Sequence, residues 1–119
     1  MKYYFYIGSY AAAEETGIYQ FELDAGTGIL LKTGEIAGID NPSYLLSHPS
    51  GKVLYAVEEL NPDGRIAVFS LKNDTPEYLF SLPSEGADPC HLALDEKGEF
   101  LFVSNYTSGS LTVFRLDGE

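Results

Sequence analysis

Two histidines, a pair of adjacent glutamates and a lone cysteine stand out as groups whose chemistry goes beyond solvation. His91, in Asp88-Pro89-Cys90-His91, is the most informative, because an imidazole exchanges a proton near neutral pH and serves as a general acid or base. A histidine without a visible partner can equally brace a turn by hydrogen bonding, and both roles stay open. Glu58-Glu59 follows the apolar run Tyr55-Ala56-Val57. A carboxylate there is costly unless solvated or paired, so Glu59 either faces water at a site or simply lies in the loop that runs to Gly64. Tyr10, Asn105 and Tyr106 hold corresponding places elsewhere in the chain. The candidate set is therefore His91 and Glu59 as acid–base groups, with Tyr10, Asn105 and Tyr106 as substrate-binding groups. His48 reads as exposed and structural. The sequence holds no Gly-rich phosphate loop, no Cys or His pairs at zinc spacing, no nucleophile elbow and no calcium loop, so no metal site is expected.

The elements that position these groups are set by a repeat. NPSYLLSHPSGKVLYAV, starting at Asn41, aligns with DPCHLALDEKGEFLFVS, starting at Asp88, and GRIAVFSL from Gly64 aligns with GSLTVFRL from Gly109. A partial third copy precedes both. In it Tyr6-Ile7-Gly8-Ser9-Tyr10 matches Phe102-Val103-Ser104-Asn105-Tyr106, and GIYQFEL from Gly17 matches the VFSL and VFRL segments. Repeats of this length built from strand-like runs indicate a β-propeller or a related β-array. The fold class is all-β, with four-stranded antiparallel blades, about two and a half of them present, in units of about 1–40, 41–87 and 88–119.

In the middle unit the runs rich in Val, Leu, Ile, Phe and Tyr predict strands at about 43–47, 53–58, 65–71 and 77–81. Val53-Leu54-Tyr55-Ala56-Val57 is continuously apolar, as a strand buried on both faces must be. Ser50-Gly51 and Lys97-Gly98 fit tight hairpins in which glycine supplies a positive φ, and Gly64 and Gly109 are expected to do similar work. Ala11-Ala12-Ala13-Glu14-Glu15 has helix-forming residues but is too short to hold a helix, and reads as a loop. In a propeller the innermost strands line a channel, and the loops at one end of it form the usual ligand site. The turns Asn41-Pro42-Ser43-Tyr44 and Asp88-Pro89-Cys90-His91 lead into those strands, so His91 is expected at the channel mouth.

A ring of this kind closes with at least about four blades. The expectation is therefore that the chain is the N-terminal part of a longer protein, or a module that self-associates through its open blade edges. Eighteen acidic and seven basic residues give a formal charge of −11, which argues against nucleic acid or an anionic membrane surface as a partner. One cysteine permits no internal disulfide and fits a reducing compartment, so a cytoplasmic location is expected. The opening MKYYFYIGSYAAA is too short and Tyr-rich in its apolar part for a signal peptide.

IGSY with GIYQFELDAGTGIL, then NPSYLLSHPSGKVLYAVEE, then GADPCHLALDEKGEFLFVSNYTSGSLTVFRL together resemble the opening blades of the lactonase family of seven-bladed propellers. That family includes propeller-type 6-phosphogluconolactonases and, more distantly, carboxy-muconate cyclases. The resemblance implies an enzyme without metal or other cofactor that opens a sugar lactone with base-activated water, its site at the channel mouth. It also implies that the main catalytic His, Glu and Arg residues lie on later blades, so this chain alone is expected to be inactive. The alternatives are a non-catalytic propeller that binds partners on its ring, and a cycloisomerase acting on muconate-like acids.

Overall fold

The structure, a computed structural model, describes residues 1–117, so Gly118 and Glu119 at the end of the third unit lie outside the described residues. Those residues form ten strands and no helix: β1 Lys2–Ile7, β2 Ile18–Asp24, β3 Leu30–Ile36, β4 Leu45–Ser47, β5 Val53–Glu58, β6 Arg65–Ser70, β7 Glu77–Pro83, β8 Pro89–Leu94, β9 Phe100–Asn105 and β10 Ser110–Arg115. The strands make three antiparallel sheets, ordered β1-β2-β3, β4-β5-β6-β7 and β10-β9-β8. The middle sheet is a whole four-stranded blade. The first contains the second, third and fourth strands of the repeat, and the last contains the first, second and third. The segment Ala11–Glu15 is a loop with a single turn, in which the Glu15 N–H donates to the Ala12 carbonyl at 2.9 Å.

The apolar run of β5 is explained by its two neighbours. Val53, Tyr55 and Val57, with Ile66 and Val68 of β6, pack against Leu92, Leu101 and Val103 of the third sheet. The residues between them, Leu54 and Ala56, join Ala67 and Phe69 against Ile18, Ile36 and Ile39 on the other side. Successive side chains of a strand point to opposite faces, so a blade covered on both sides has no polar alternate positions to spare. Fully burying a residue such as Phe69 or Leu54 is worth about 1.5–3 kcal/mol. By contrast Tyr3, Tyr4, Phe5 and Ile7 of β1 and Leu111 and Val113 of β10 are exposed.

Repetition extends to irregularities. The register slips once between Gln20 and Phe21 where β2 meets β3, and once between Val68 and Phe69 where β6 meets β7, the same place in the repeat. Gly51, Gly98 and Gly109 carry φ values of 74, 70 and 65°, as tight turns require. Gly64 does not share that conformation. A Cβ there would lie 2.3 Å from Pro89 Cδ and 2.6 Å from Ser84 Oγ, so this glycine is needed to let the next linker close in. Gly17 receives Pro42 in the same way.

Candidate functional site

At one end of the stack lie the linkers that lead into β4 and β8 and the loops that follow β1, β5 and β9. Two repeated features build this end. Asn41 and Asp88 precede the linker prolines with φ of 47 and 56°, a left-handed conformation that Asn and Asp tolerate better than other side chains. The N–H of Asn41 donates to Ala11 O at 2.7 Å, and that of Asp88 to Leu60 O at 2.8 Å, so each linker is stitched to the blade before it. Each is also stitched forward: Glu59 N–H donates to Asn41 O at 3.1 Å and Tyr106 N–H to Asp88 O at 2.9 Å. Asp88 accepts further bonds from Asn61 Nδ2 at 3.1 Å and from the Thr107 hydroxyl.

These stitches bring Tyr10 and Glu59 together. The Tyr10 hydroxyl donates to Glu59 Oε1 at 2.8 Å, and Ser43 Oγ donates to the same oxygen at 2.5 Å. The bond from Tyr10 to Glu59 is the main cause that raises the Tyr10 phenol above its usual value of 10.0. The Tyr10 ring itself is 71% exposed. Glu59 is half-buried, and among the described residues its Oε2 has no hydrogen-bond partner. It lies in the loop that follows β5.

His91 sits on β8, opposite Ser104 of β9, with its side chain exposed. Its ring lies against Tyr44, centroids 4.9 Å apart and planes tilted by 49°. Tyr44 holds the same place before β4 that His91 holds in the next repeat. β4 and β8 are the first strands of their blades and approach each other, which brings these two rings together. Among the described residues no hydrogen bond ties His91 to a turn. Bracing by hydrogen bond is done instead by His48, which is half-buried rather than exposed. Its Nδ1 accepts from the Ser50 N–H at 3.1 Å, which leaves Nε2 to donate to the Gly98 carbonyl of the next blade at 2.9 Å. His48 lies at the opposite end, in the turn between β4 and β5.

Asn105 is buried between blades. It is 1% exposed, and its Nδ2 donates to Ser84 O at 3.2 Å, with Ser110 Oγ and Thr112 Oγ1 at 3.3 and 3.2 Å. Asn105, expected as a substrate-binding group, makes an inter-blade tie here, because this alternation of β9 points its side chain into the sheet stack. Glu58, its counterpart, is likewise buried and accepts from the Asp40 N–H at 3.2 Å and from Ser81 Oγ at 3.0 Å, with Arg65 Nε at 3.8 Å. Tyr106, one blade round from Glu59, is 79% exposed and stays available at this end. Sequence reasoning did not single out Ser43 or Tyr44. Their signal was their alignment with Cys90 and His91. No group of three or more His, Cys, Asp or Glu able to hold a metal ion occurs among the described residues, and no helix is long and apolar enough to cross a membrane.

Comparison with known proteins places the fold. The family described as lactonase, 7-bladed beta-propeller, matches residues 4–119. The 6-phosphogluconolactonase of Bacillus subtilis is 31% identical over 115 residues, which is 95% of this chain and 33% of that protein. The 6-phosphogluconolactonase of Formosa agariphila is 34% identical over 117 residues, 94% of this chain and 33% of that one. A crystal structure of a candidate 6-phosphogluconolactonase from Bacteroides fragilis superposes with a TM-score of 0.87 at 32% identity, covering 98% of this chain and 33% of that one. The chain spans about a third of the length of the curated relatives it matches.

Proposed function

The chain belongs to the lactonase family of seven-bladed β-propellers, and on that premise we propose that it supplies part of the channel wall of a sugar-lactone hydrolase of the 6-phosphogluconolactonase type. The observation that carries this reading is an exposed imidazole on the first strand of a blade, resting on Tyr44 and held by no hydrogen bond among the described residues. In the reaction, water attacks the lactone carbonyl while His91 accepts a proton from it. The carbonyl–ring oxygen bond then breaks, and the proton returns to the departing alkoxide, giving the hydroxy acid. Oxyanion donors and any phosphate-binding cation belong to the rest of the ring.

A panel of 6-phosphogluconolactone, gluconolactone and a muconolactone, followed by acid release from the intact protein, tests this. Fastest turnover of a gluconolactone supports the reading; turnover of the muconolactone alone moves it to the cycloisomerase, and none at all to a binding scaffold. The isolated chain is predicted to be inactive, and to self-associate through the exposed strands β1 and β10. Light scattering that gives at least twice its 13.0 kDa mass supports this, and a monodisperse monomer contradicts it. A cytoplasmic location is part of the same proposal, resting on the unpaired Cys90.

A further inference from the structure

The mouth end of this chain is chemically one-sided. Glu59 and Asp88 place two carboxylates there, and the cations are elsewhere. β1, β5 and β9 run toward the mouth, so Lys2 and Lys52, at the beginnings of β1 and β5, lie at the far end. Lys97, in the turn between β8 and β9, lies there too, as do Lys72 and Arg115, because β6 and β10 run away from the mouth. Lys32 is paired with Glu35 on β3. Only Arg65 starts a strand at the mouth end, and its guanidinium is turned outward to Glu58 and to the Ser81 carbonyl. A phosphate brought here would meet carboxylates with no uncommitted cation among the described residues.

What this end offers instead is a fixed acceptor beside an exposed tyrosine. Tyr10 and Ser43 both donate to Oε1 of Glu59, which locks the carboxylate plane and leaves Oε2 to accept from a ligand. Hydrogen bonds from a neutral hydroxyl to a carboxylate are short and strong, so Oε2 suits a sugar hydroxyl. The exposed rings of Tyr10 and Tyr106 give flat apolar surface on either side of the repeat.

We propose that Glu59, oriented by Tyr10 and Ser43, is a specificity-determining residue that binds the uncharged, hydroxyl-bearing carbons of a polyhydroxylated lactone, and that any phosphate of the substrate lies against another part of the ring. This rests on the lactone-hydrolase reading above and adds to it the direction in which the substrate lies. Tyr10 and Ser43 act as positioning residues, through Glu59.

The test is steady-state kinetics of Glu59→Gln in the intact protein with gluconolactone and 6-phosphogluconolactone side by side. Glutamine keeps the shape but weakens the acceptor, so KM is expected to rise about tenfold or more for both substrates and by similar factors, with kcat falling less than about threefold. Three results overturn the proposal: KM rising only for the phosphorylated lactone, KM unchanged for both, or kcat collapsing with KM unchanged. If Glu59→Gln does not fold, Tyr10→Phe decides, with an expected KM increase of about two- to fivefold on both substrates and the same three contrary results. If the wild-type protein hydrolyses neither lactone, the functional reading fails while the subsite remains decidable. Calorimetric titration with the neutral alditol sorbitol then reads it. Heat that is lost in Glu59→Gln supports the subsite, and no heat with the wild type overturns it.

Discussion

The two ends of the blade stack solve the same joining problem with different chemistry. At the linker end, Pro42 and Pro89 press into spaces that only Gly17 and Gly64 leave open, and backbone hydrogen bonds from Asn41 and Asp88 run between the blades. Asp88, Asn105 and Glu58 add buried or part-buried side-chain ties there, while Tyr10, Glu59, His91 and Tyr106 stand at or near the surface. At the hairpin end the backbone makes tight turns with open space around Gly51, and a side chain, His48, has to carry the joint to Gly98. The chain's two histidines teach the difference. The one that is hydrogen-bonded on both nitrogens is structure, and the one resting only on a ring is free to act.

The largest effect that would break this comparison concerns the glycines. Gly8→Ala would place a Cβ 2.1 Å from the Pro42 carbonyl oxygen, and Gly64→Ala one 2.3 Å from Pro89 Cδ. Each is expected to cost about 3 kcal/mol in chemical denaturation, at the upper range for overpacking. Gly51→Ala meets nothing within 4 Å and only strains a φ of 74°, so about 1 kcal/mol is expected. Equal losses at all three sites would show that the linker end is not the tighter joint.

Smaller is the expected cost of His48→Ala, about 1–2 kcal/mol from two lost hydrogen bonds, read from the same denaturation curves. A neutral result would leave the hairpin end without its brace. Asp95, the counterpart of His48, caps its turn by accepting from the N–H groups of Phe100 at 2.8 Å and Glu99 at 2.7 Å. The Phe100 bond chiefly holds its carboxyl below the usual 3.8. The folded state thus favours the charged form, so this contribution is complete above the ordinary carboxylate value and is lost as pH falls through the lowered one. Asp95→Asn is expected to lower stability at neutral pH and to converge with the wild type at low pH, which flattens the acid limb of a stability–pH curve. Smallest is Tyr10→Phe, whose exposed hydroxyl is worth less than about 0.5 kcal/mol of stability. A larger loss would make Tyr10 part of the joint rather than of the mouth.

The repeat made the blades legible in the sequence. In the middle unit the predicted strands at about 43–47, 53–58, 65–71 and 77–81 are found at 45–47, 53–58, 65–70 and 77–83. The unbroken apolar run of β5 signalled burial on both faces, and Gly51 and Gly98 have the positive φ that their turns implied. What stayed hidden depends on contacts across blades. Tyr10 and Glu59 are 49 residues apart, and His48 and Gly98 are 50 apart, so neither partnership leaves a local pattern. Asn105 and Tyr106 are neighbours in sequence, yet one turns into the stack and the other out of it. The tasks of Gly17 and Gly64 could not be separated from that of Gly109, because a glycine that admits a proline and a glycine that turns the chain are the same letter.

Lactone hydrolysis by the intact protein, compared between His91→Ala and His48→Ala with melting curves for each, tests the division of labour most directly. The prediction is a fall in kcat/KM of about a hundredfold or more for His91→Ala with an unchanged melting temperature, and a lowered melting temperature with near-normal kinetics for His48→Ala. The reverse assignment, with His91→Ala unfolding early at full catalytic rate, would contradict it.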